Sequence, residues 1–255
     1  MKISIITVCY NSETTIRDTI ESVLSQNYPE IEYIIIDGKS TDNTMRIVSE
    51  YHNEIANITS EPDQGVYDAM NKGIGLATGD VIGILNSDDL FENSSVISDV
   101  VNCFKADPEA ALVFGDLVIV DPIKIQNITR FYSARKFKPW KLRFGWMPPH
   151  PATFIKRIVY EQLGGYSLDY KISADYELFV RMLMVHKLTY AQLDKVLVRM
   201  RSGGMSSSNI RSRLLLNTEI VRACKKNKIY TNLFLVLLKV PFKILEFLTK
   251  PIGVS

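Results

Sequence analysis

The sequence predicts an α/β fold, a mostly parallel sheet flanked by helices on both faces, and three observations carry that prediction. Short apolar runs of strand length alternate with helical periods through the first half of the chain. Each run gives way to a polar turn rich in Asn, Asp, Ser, Thr and Gly. The length of 255 residues, 46% of them hydrophobic, suffices for one large domain or a domain with a modest appendage.

Taken in order, Ile3 to Val8 reads as a buried strand. Ile16, Ile20, Val23 and Leu24 then recur at helical spacing behind the capping candidates Asn11 and Ser12. Tyr33 to Ile36 is the second strand, ended by DGKSTDNT, where Ser40 or Thr41 can cap a helix carrying Ile47, Val48 and Tyr51. A brief third strand is expected around Ile58 and Thr59. After EPDQG comes a helix of roughly a dozen residues that ends near Gly79, and Val81 to Leu85 is the fourth strand. The stretch GIGLATG imitates a glycine-rich nucleotide loop but sits at the end of a helical segment, where such a loop does not belong. Strand and helix in alternation place ligands at the carboxyl ends of the strands.

Composition narrows the classes. Thirty basic residues against 28 acidic ones leave a net charge of +2, so no global field favours nucleic acid. Three scattered cysteines, Cys9, Cys103 and Cys224, fit neither a disulfide framework nor a zinc site, which suggests a reducing cytoplasm. The opening MKISIITVCYN reads as a first strand and not as a targeting segment.

The loops after the strands hold the polar residues a core does not need: Val8 to Asn11 after the first, Asp37 after the second, and Asn86, Ser87, Asp88 and Asp89 after the fourth. Two adjacent carboxylates repel unless a cation or strong donors lie beside them. A hard divalent ion, Mg²⁺ or Mn²⁺, takes one or two carboxylates and completes its shell with water and substrate phosphates, which implies a phosphorylated ligand. The competing reading is that the pair caps the helix suggested by LFENSSVISDVVNCF.

Five stretches, SIITVCYN, IIIDGKSTDNT, EPDQGVYDAMNKGIGLATGD, ILNSDDL and ISADYELFVRM, together resemble the inverting family 2 glycosyltransferases of the GT-A fold, over about residues 1–210. The resemblance implies that Val8, Cys9, Tyr10 and Asp37 hold the base and ribose of a nucleoside diphosphate sugar. It implies further that Asp89 is the ligand of Mn²⁺ or Mg²⁺, that Asp88 contacts the ribose or a metal-bound water, and that Asp175 is the catalytic base. Two departures stand out. Gly38 replaces a second aspartate that many relatives carry, and Met70 replaces an arginine, with Lys72 the candidate to compensate. The Gln-x-x-Arg-Trp signature of processive synthases is not found, so transfer of a single sugar is expected.

Asp63, Gln64 and Tyr67 crowd polar groups at the start of a helix whose other side is apolar, with a plain capping role for Asp63 as the alternative. In the second half, RFYSARKFKPWKLRFGWMPPHPATF interleaves basic and aromatic residues. Without an RNA-binding signature, it fits an acceptor wall better than a nucleic-acid surface. Trp140 and Trp146 either stack on sugar faces or pack under a loop, and His150 is either structural or part of the acceptor site. In SADYELFVRML, Leu178, Phe179, Met182 and Leu183 share a helical face, which puts Asp175 and Glu177 in the first turn and Arg181 on the next.

The last stretch, IYTNLFLVLLKVPFKILEFLTKPIGV, is broken by Lys239, Pro241, Lys243 and Glu246, too often for a spanning helix. It either lies on a membrane surface, with its lysines reaching for head groups, or packs as a helix pair. The expected organisation is a catalytic domain over 1–210, with about 1–120 for the nucleotide sugar and about 121–210 for the acceptor. A helical extension over 211–255 would touch the membrane peripherally. The expected activity is inverting transfer of one sugar from a nucleoside diphosphate sugar, UDP-linked, to a glycan or lipid-linked saccharide in bacterial surface polysaccharide synthesis, in the cytoplasm or at the inner face of its membrane. The alternative is a non-catalytic sugar-nucleotide or glycan binding module on the same fold, which would not need to keep both Asp89 and Asp175.

Overall fold

The computed structural model describes residues 1–203 and 210–239. Nine strands form one sheet: β1 Ile3–Cys9, β2 Ile31–Asp37, β3 Asn57–Ser60, β4 Val81–Ile84, β5 Asp89–Phe91, β6 Leu112–Val120, β7 Ile128–Tyr132, β8 Thr153–Lys156 and β9 Tyr190–Arg201. The helices are α1 Ile16–Leu24, α2 Thr44–Ser49, α3 Val66–Leu76, α4 Val96–Ala106, α5 Arg157–Leu163, α6 Ala174–Phe179, α7 Ile210–Lys226 and α8 Leu233–Leu237. A 3₁₀ segment, Pro139–Phe144, and a π-helical turn, Val180–Val185, complete the parts that matter below.

Strand order is β3-β2-β1-β4-β8-β6-β9-β5, with β7 paired to β6. The chain first winds outward from β1 to β3, then crosses to the other side of β1 to lay down β4. The crevice between the carboxyl ends of β1 and β4 is therefore the topological switch point, where open α/β sheets bind ligands. The expected mostly parallel sheet describes the first half, since β1 pairs parallel with both β2 and β4, and β2 with β3. In the second half β6 and β9 are parallel, whereas β4·β8, β6·β8, β6·β7 and β5·β9 are antiparallel. The long helical crossovers that parallel strands require are largely missing there.

β1 is buried along its whole length, as a strand covered on both faces must be. Its alternation feeds two cores. Ile6 and Val8 pack with α3, α5, α6 and the inner face of α7, while Ile3, Ile5 and Cys9 pack with α1, α2 and α4. Ile220, Ala223 and Cys224 of α7 belong to the first core, and Glu219 accepts the backbone N–H groups of Lys171 and Ile172 at 2.9 and 3.1 Å. The inner face of α7, within the expected extension over 211–255, is thus part of the first core.

Packing explains two glycines of GIGLATG, Gly73 and Gly79, and not the third. A Cβ on Gly73 would lie 2.5 Å from Cγ2 of Ile6, so only glycine lets α3 seat on β1, whereas Gly75 faces open space. Gly73→Ala is expected to cost about 1–3 kcal/mol by overpacking. Gly75→Ala is expected to stabilise by about 0.5–1 kcal/mol through helix propensity. Urea unfolding of both variants checks this, and equal behaviour would contradict the packing account.

Candidate active site

β1 and β2 run in register to Cys9↔Asp37, which sets the loops that follow them side by side. Asp37 is fully buried, and its carboxylate accepts Ser40 Oγ and Ser40 N from its own loop and Ser60 Oγ at 2.6 Å from the end of β3. Cys9 Sγ lies 3.7 Å from the same group, and burial followed by the nearby Asp37 charge keeps the thiol protonated. Asn11, at φ 50°, donates its N–H to Ser40 Oγ and accepts Thr41 N at 2.8 Å. Ser12 N donates to Thr44 Oγ1, Glu13 N to Asp42, and Asn43 N to Glu13. The two loops form one laced rim.

On that rim Tyr10 is the large apolar side chain that projects outward, 63% exposed. The side chains of Val8 and Cys9 belong to the two cores. Gly38, the departure from the family pattern, is filled from across the crevice. A Cβ there would lie 2.4 Å from Asp63 Oδ2, and Asp63 itself is fixed through Oδ1 by Gly65 N at 2.8 Å. Lys39, next to it, holds φ 64°.

The carboxylate pair is joined to this rim by a hydrogen bond of 2.8 Å between Ser12 Oγ and Ser87 Oγ. Asp88 and Asp89 cap no helix: α4 starts only at Val96, and Asp89 opens β5. Asp89 is fully buried, with Asn86 Nδ2 3.0 Å from Oδ2, while Oδ1 has no hydrogen-bond partner among the described residues. Burial first, and Asp88 second, push its carboxyl well above the usual range, and burial raises Asp88 as well. A bare buried carboxylate oxygen costs on the order of 1–3 kcal/mol, so a cation or donor arriving with a ligand would be strongly favoured there. No cluster of three or more His, Cys, Asp or Glu suited to a metal occurs among the described residues. The all-oxygen pair therefore fits Mg²⁺ or Mn²⁺ held by few carboxylates, with the rest of the shell left to water and phosphate.

Arg201, at the end of β9, was not foreseen from sequence. Its guanidinium is 5% exposed and donates to Asp88 O at 3.0 Å, to Pro122 O at 3.2 Å and to Asp18. A cleft of about 510 Å³, lined by Thr14, Asp18, Asp88, Ile123 and Arg201 among others, opens beside it. The available signal was an arginine ending an apolar strand before Gly-Gly, in VLVRMRSGG.

Asp175 sits in the first turn of α6, in a cage of aromatic side chains. Oδ1 accepts Tyr67 Oη at 3.2 Å and Tyr176 N at 2.8 Å. Tyr67 stacks on Tyr166 at 5.6 Å, and Tyr166 Oη lies 2.7 Å from His150 Nε2. Asn71 clamps Tyr166 by bonding both its N–H and its C=O at 2.8 Å, a positioning role that the sequence did not reveal. Burial raises the Asp175 carboxyl; nearby His150 and the bonds from Tyr176 and Tyr67 oppose that rise. Burial lowers the His150 pKa, with Asp175 opposing.

Three expected site residues are employed elsewhere. Lys72 bonds Pro62 O and Glu61, both at 2.8 Å, which secures the loop before α3, and Met70 is buried in the core, so neither stands in for the missing arginine. Arg181 donates to the carbonyls of Leu163, Gly164 and Gly165 and to Glu177, closing the end of α5. Trp146 is half-buried beside the 3₁₀ segment, its backbone N–H on Lys141 O at 3.3 Å, and Trp140 is the outward-facing tryptophan, 55% exposed.

The model of the family described as Glycosyl transferase family 2 matches residues 4–167. An uncharacterized glycosyltransferase, MT1564, of Mycobacterium tuberculosis is 35% identical over 188 residues, which cover 72% of this chain and 69% of the relative. A PGL/p-HBAD biosynthesis glycosyltransferase of Mycobacterium bovis is 27% identical over 83% of this chain and 82% of its own. Among solved structures, S. aureus TarS 1–349 in complex with UDP-GlcNAc superposes with a TM-score of 0.64 at 19% identity, over 87% of this chain and 67% of that one. The mannosyltransferase PcManGT of Pyrobaculum calidifontis, in complex with GDP-Man and Mn²⁺, reaches 0.67 at 19% identity, over 97% and 73%. The chain spans 65% of the TarS 1–349 chain and 40% of the longer TarS chain. The fold is the GT-A fold of these structures.

The raised Asp175 carboxyl has a stability signature. A carboxyl whose folded pKa exceeds its unfolded one favours folding below the ordinary carboxylate range, and that contribution is lost as pH rises through the folded value. Asp175→Asn, whose Oδ1 still accepts from Tyr67 and Tyr176, is expected to melt higher than the parent at neutral pH. The gap should close as pH falls below about 4, the ordinary carboxylate range. Thermal melts across pH check this; a variant no more stable at pH 7 would contradict it.

Proposed function

The chain belongs to glycosyl transferase family 2, and from that premise we propose that it moves a single sugar, with inversion, from a UDP-linked donor to a hydroxyl of a glycan or lipid-linked saccharide. The reaction serves bacterial surface glycan assembly at the inner face of the cell membrane. The TarS complex with UDP-GlcNAc and the PGL/p-HBAD biosynthesis relative support the donor and the setting. The observation that carries the reading is the unpartnered, fully buried Asp89 Oδ1 at the switch point of the sheet. The same fold holds a second carboxylate, Asp175, whose Oδ1 is fixed by Tyr67 and by the backbone of Tyr176.

In the proposed mechanism, the laced rim of Asn11, Ser12 and Ser40 fixes the nucleoside, with Tyr10 over its open side. Asp89 with Asp88 holds the divalent cation, which when bound supplies Lewis-acid neutralisation of the diphosphate leaving group. Tyr67 and Tyr176 N fix Oδ1 of Asp175, which leaves Oδ2 to take the proton from the acceptor hydroxyl as that oxygen bonds to the anomeric carbon. The bond from the anomeric carbon to the diphosphate breaks with its electron pair leaving on the nucleotide. Because attack comes from the face opposite the leaving group, configuration inverts. Burial raises Asp175 toward the working pH, where a general base is most effective. About residues 1–120 serve the donor and 121–210 the acceptor.

Two variants test this in a single preparation with a matched acceptor. Asp175→Asn is expected to keep UDP affinity and lose transfer by roughly 10²- to 10⁴-fold, the usual contribution of a positioned base. Near-normal transfer would remove Asp175 from the mechanism. Asp89→Ala is expected to fold but to bind UDP with an affinity that no longer responds to Mn²⁺ or Mg²⁺. Calorimetry showing an unchanged metal response would reassign the ligand.

A further inference from the structure

The expectation of membrane contact rested on the C-terminal run alone, and the structure alters that picture in two ways. Residues 240–255, with Pro241, Lys243 and Glu246, lie outside the described residues. Lys239, expected to reach for head groups, is 5% exposed and folded inward, its Nζ only 2.8 Å from where a Cβ on Gly145 would stand. No helix among the described residues is long and apolar enough to cross a membrane.

What faces outward is a surface built from two segments far apart in sequence. α8 packs against the 3₁₀ segment Pro139–Phe144 through Val236, which is fully buried, and turns its opposite side to solvent. Phe234 is 71% exposed, and Leu233, Leu237 and Leu238 beside it are 45%, 42% and 39% exposed. The helix is apolar on its outer side as well as its inner one, which water alone does not reward. Arg143 joins the two segments: its Nε donates to Tyr230 O at 2.9 Å and its guanidinium lies 5.6 Å over the Tyr230 ring, itself 68% exposed. Trp140 stands on the same 3₁₀ segment, 55% exposed, with Lys141 Nζ 5.8 Å from its ring.

The two segments that build this apolar surface carry charge of one sign. Residues 133–147 hold Arg135, Lys136, Lys138, Lys141 and Arg143 and no acid, and residues 220–239 hold no Asp or Glu. Arg135 is neutralised by Asp116 and Asp194, and Lys226 by Asp169, whereas Lys136, Lys138, Lys141 and Arg143 form no ion pair with an acid among the described residues. Exposed tryptophan and tyrosine beside lysines, around a leucine and phenylalanine face, have the composition of a segment that lies at a bilayer interface.

We propose that the face formed by Trp140, Tyr230 and the outer side of α8, with Lys138 and Lys141 at its rim, docks on an anionic lipid bilayer. This rests on the glycosyltransferase reading only for its consequence. Tyr176, the residue after Asp175, donates its Oη to Leu142 O within the 3₁₀ segment, so the base is one side chain removed from the docking face. An acceptor anchored in lipid meets Asp175 from the side the protein rests on.

The test uses the full chain and vesicles of phosphatidylcholine with and without phosphatidylglycerol, scored by co-sedimentation at low and high salt. Binding is expected only with the anionic lipid and to weaken with salt. Lys138→Glu/Lys141→Glu is expected to lower partitioning by at least about 25-fold, from roughly fivefold per basic residue lost. Trp140→Ala/Phe234→Ala is expected to lower it at both salt concentrations. Both pairs should leave hydrolysis of the donor in water unchanged, with circular dichroism confirming the fold. Unchanged binding in both pairs, loss of binding only when residues 240–255 are removed, or a dimer that the Trp140/Phe234 pair dissolves in place of vesicle binding would each overturn the proposal. Loss of donor hydrolysis in Asp89→Ala with vesicle binding intact, or the reverse in the surface variants, separates failure here from failure of the catalytic assignment.

Discussion

The site depends on one buried carboxylate. Asp37 ends β2 fully enclosed, and an ionised group so placed is tolerated only when donors surround it. Those donors come from its own loop through Ser40 and from β3 through Ser60, while Cys9 faces it from β1. Satisfying Asp37 therefore aligns the ends of three parallel strands, and Ser40 passes the constraint to Asn11 and hence to the first loop. Ser12 carries it on to Ser87 and the carboxylate pair. The crevice owes its shape to this chain of short polar contacts more than to any side chain that faces it.

The strand and helix order of the first half was legible because each element satisfies its own period: β1, β2 and β4 are buried runs, and α1 and α3 show apolar faces. Asp37, Asp89 and Asp175 were legible for a different reason, since a carboxylate at the end of an apolar run or in a helix's first turn has no packing explanation. Arg201, Asn71 and the filling of Gly38 by Asp63 were not legible. Each depends on a contact between segments many residues apart, such as Asn71 with Tyr166 or Arg201 with Asp18, and no local pattern encodes the partner. The antiparallel half of the sheet escaped for the same reason. Lys72 and Arg181 are long basic side chains with carbonyls within reach, and here those carbonyls hold them, which the sequence does not reveal.

The two carboxylates proposed for the reaction are sustained differently. Asp89 is enclosed with one oxygen bare. Asp175 is held by a tyrosine that is itself stacked on a second tyrosine, clamped in turn by Asn71. The first arrangement keeps a charge available at a cost in folding free energy. The second fixes a direction. Both are places where the fold is less stable than a packed core would be, as functional sites commonly are.

Gly38 and Asp63 occupy one volume between them, although 25 positions separate them in the chain. A substitution at either is judged by what stands at the other. An aspartate introduced at 38 meets the carboxylate of 63 and finds both space and charge taken, while removal of the 63 side chain opens the very room that a 38 side chain needs. Restoring a side chain at 38 therefore asks for a smaller neighbour at 63 in the same step.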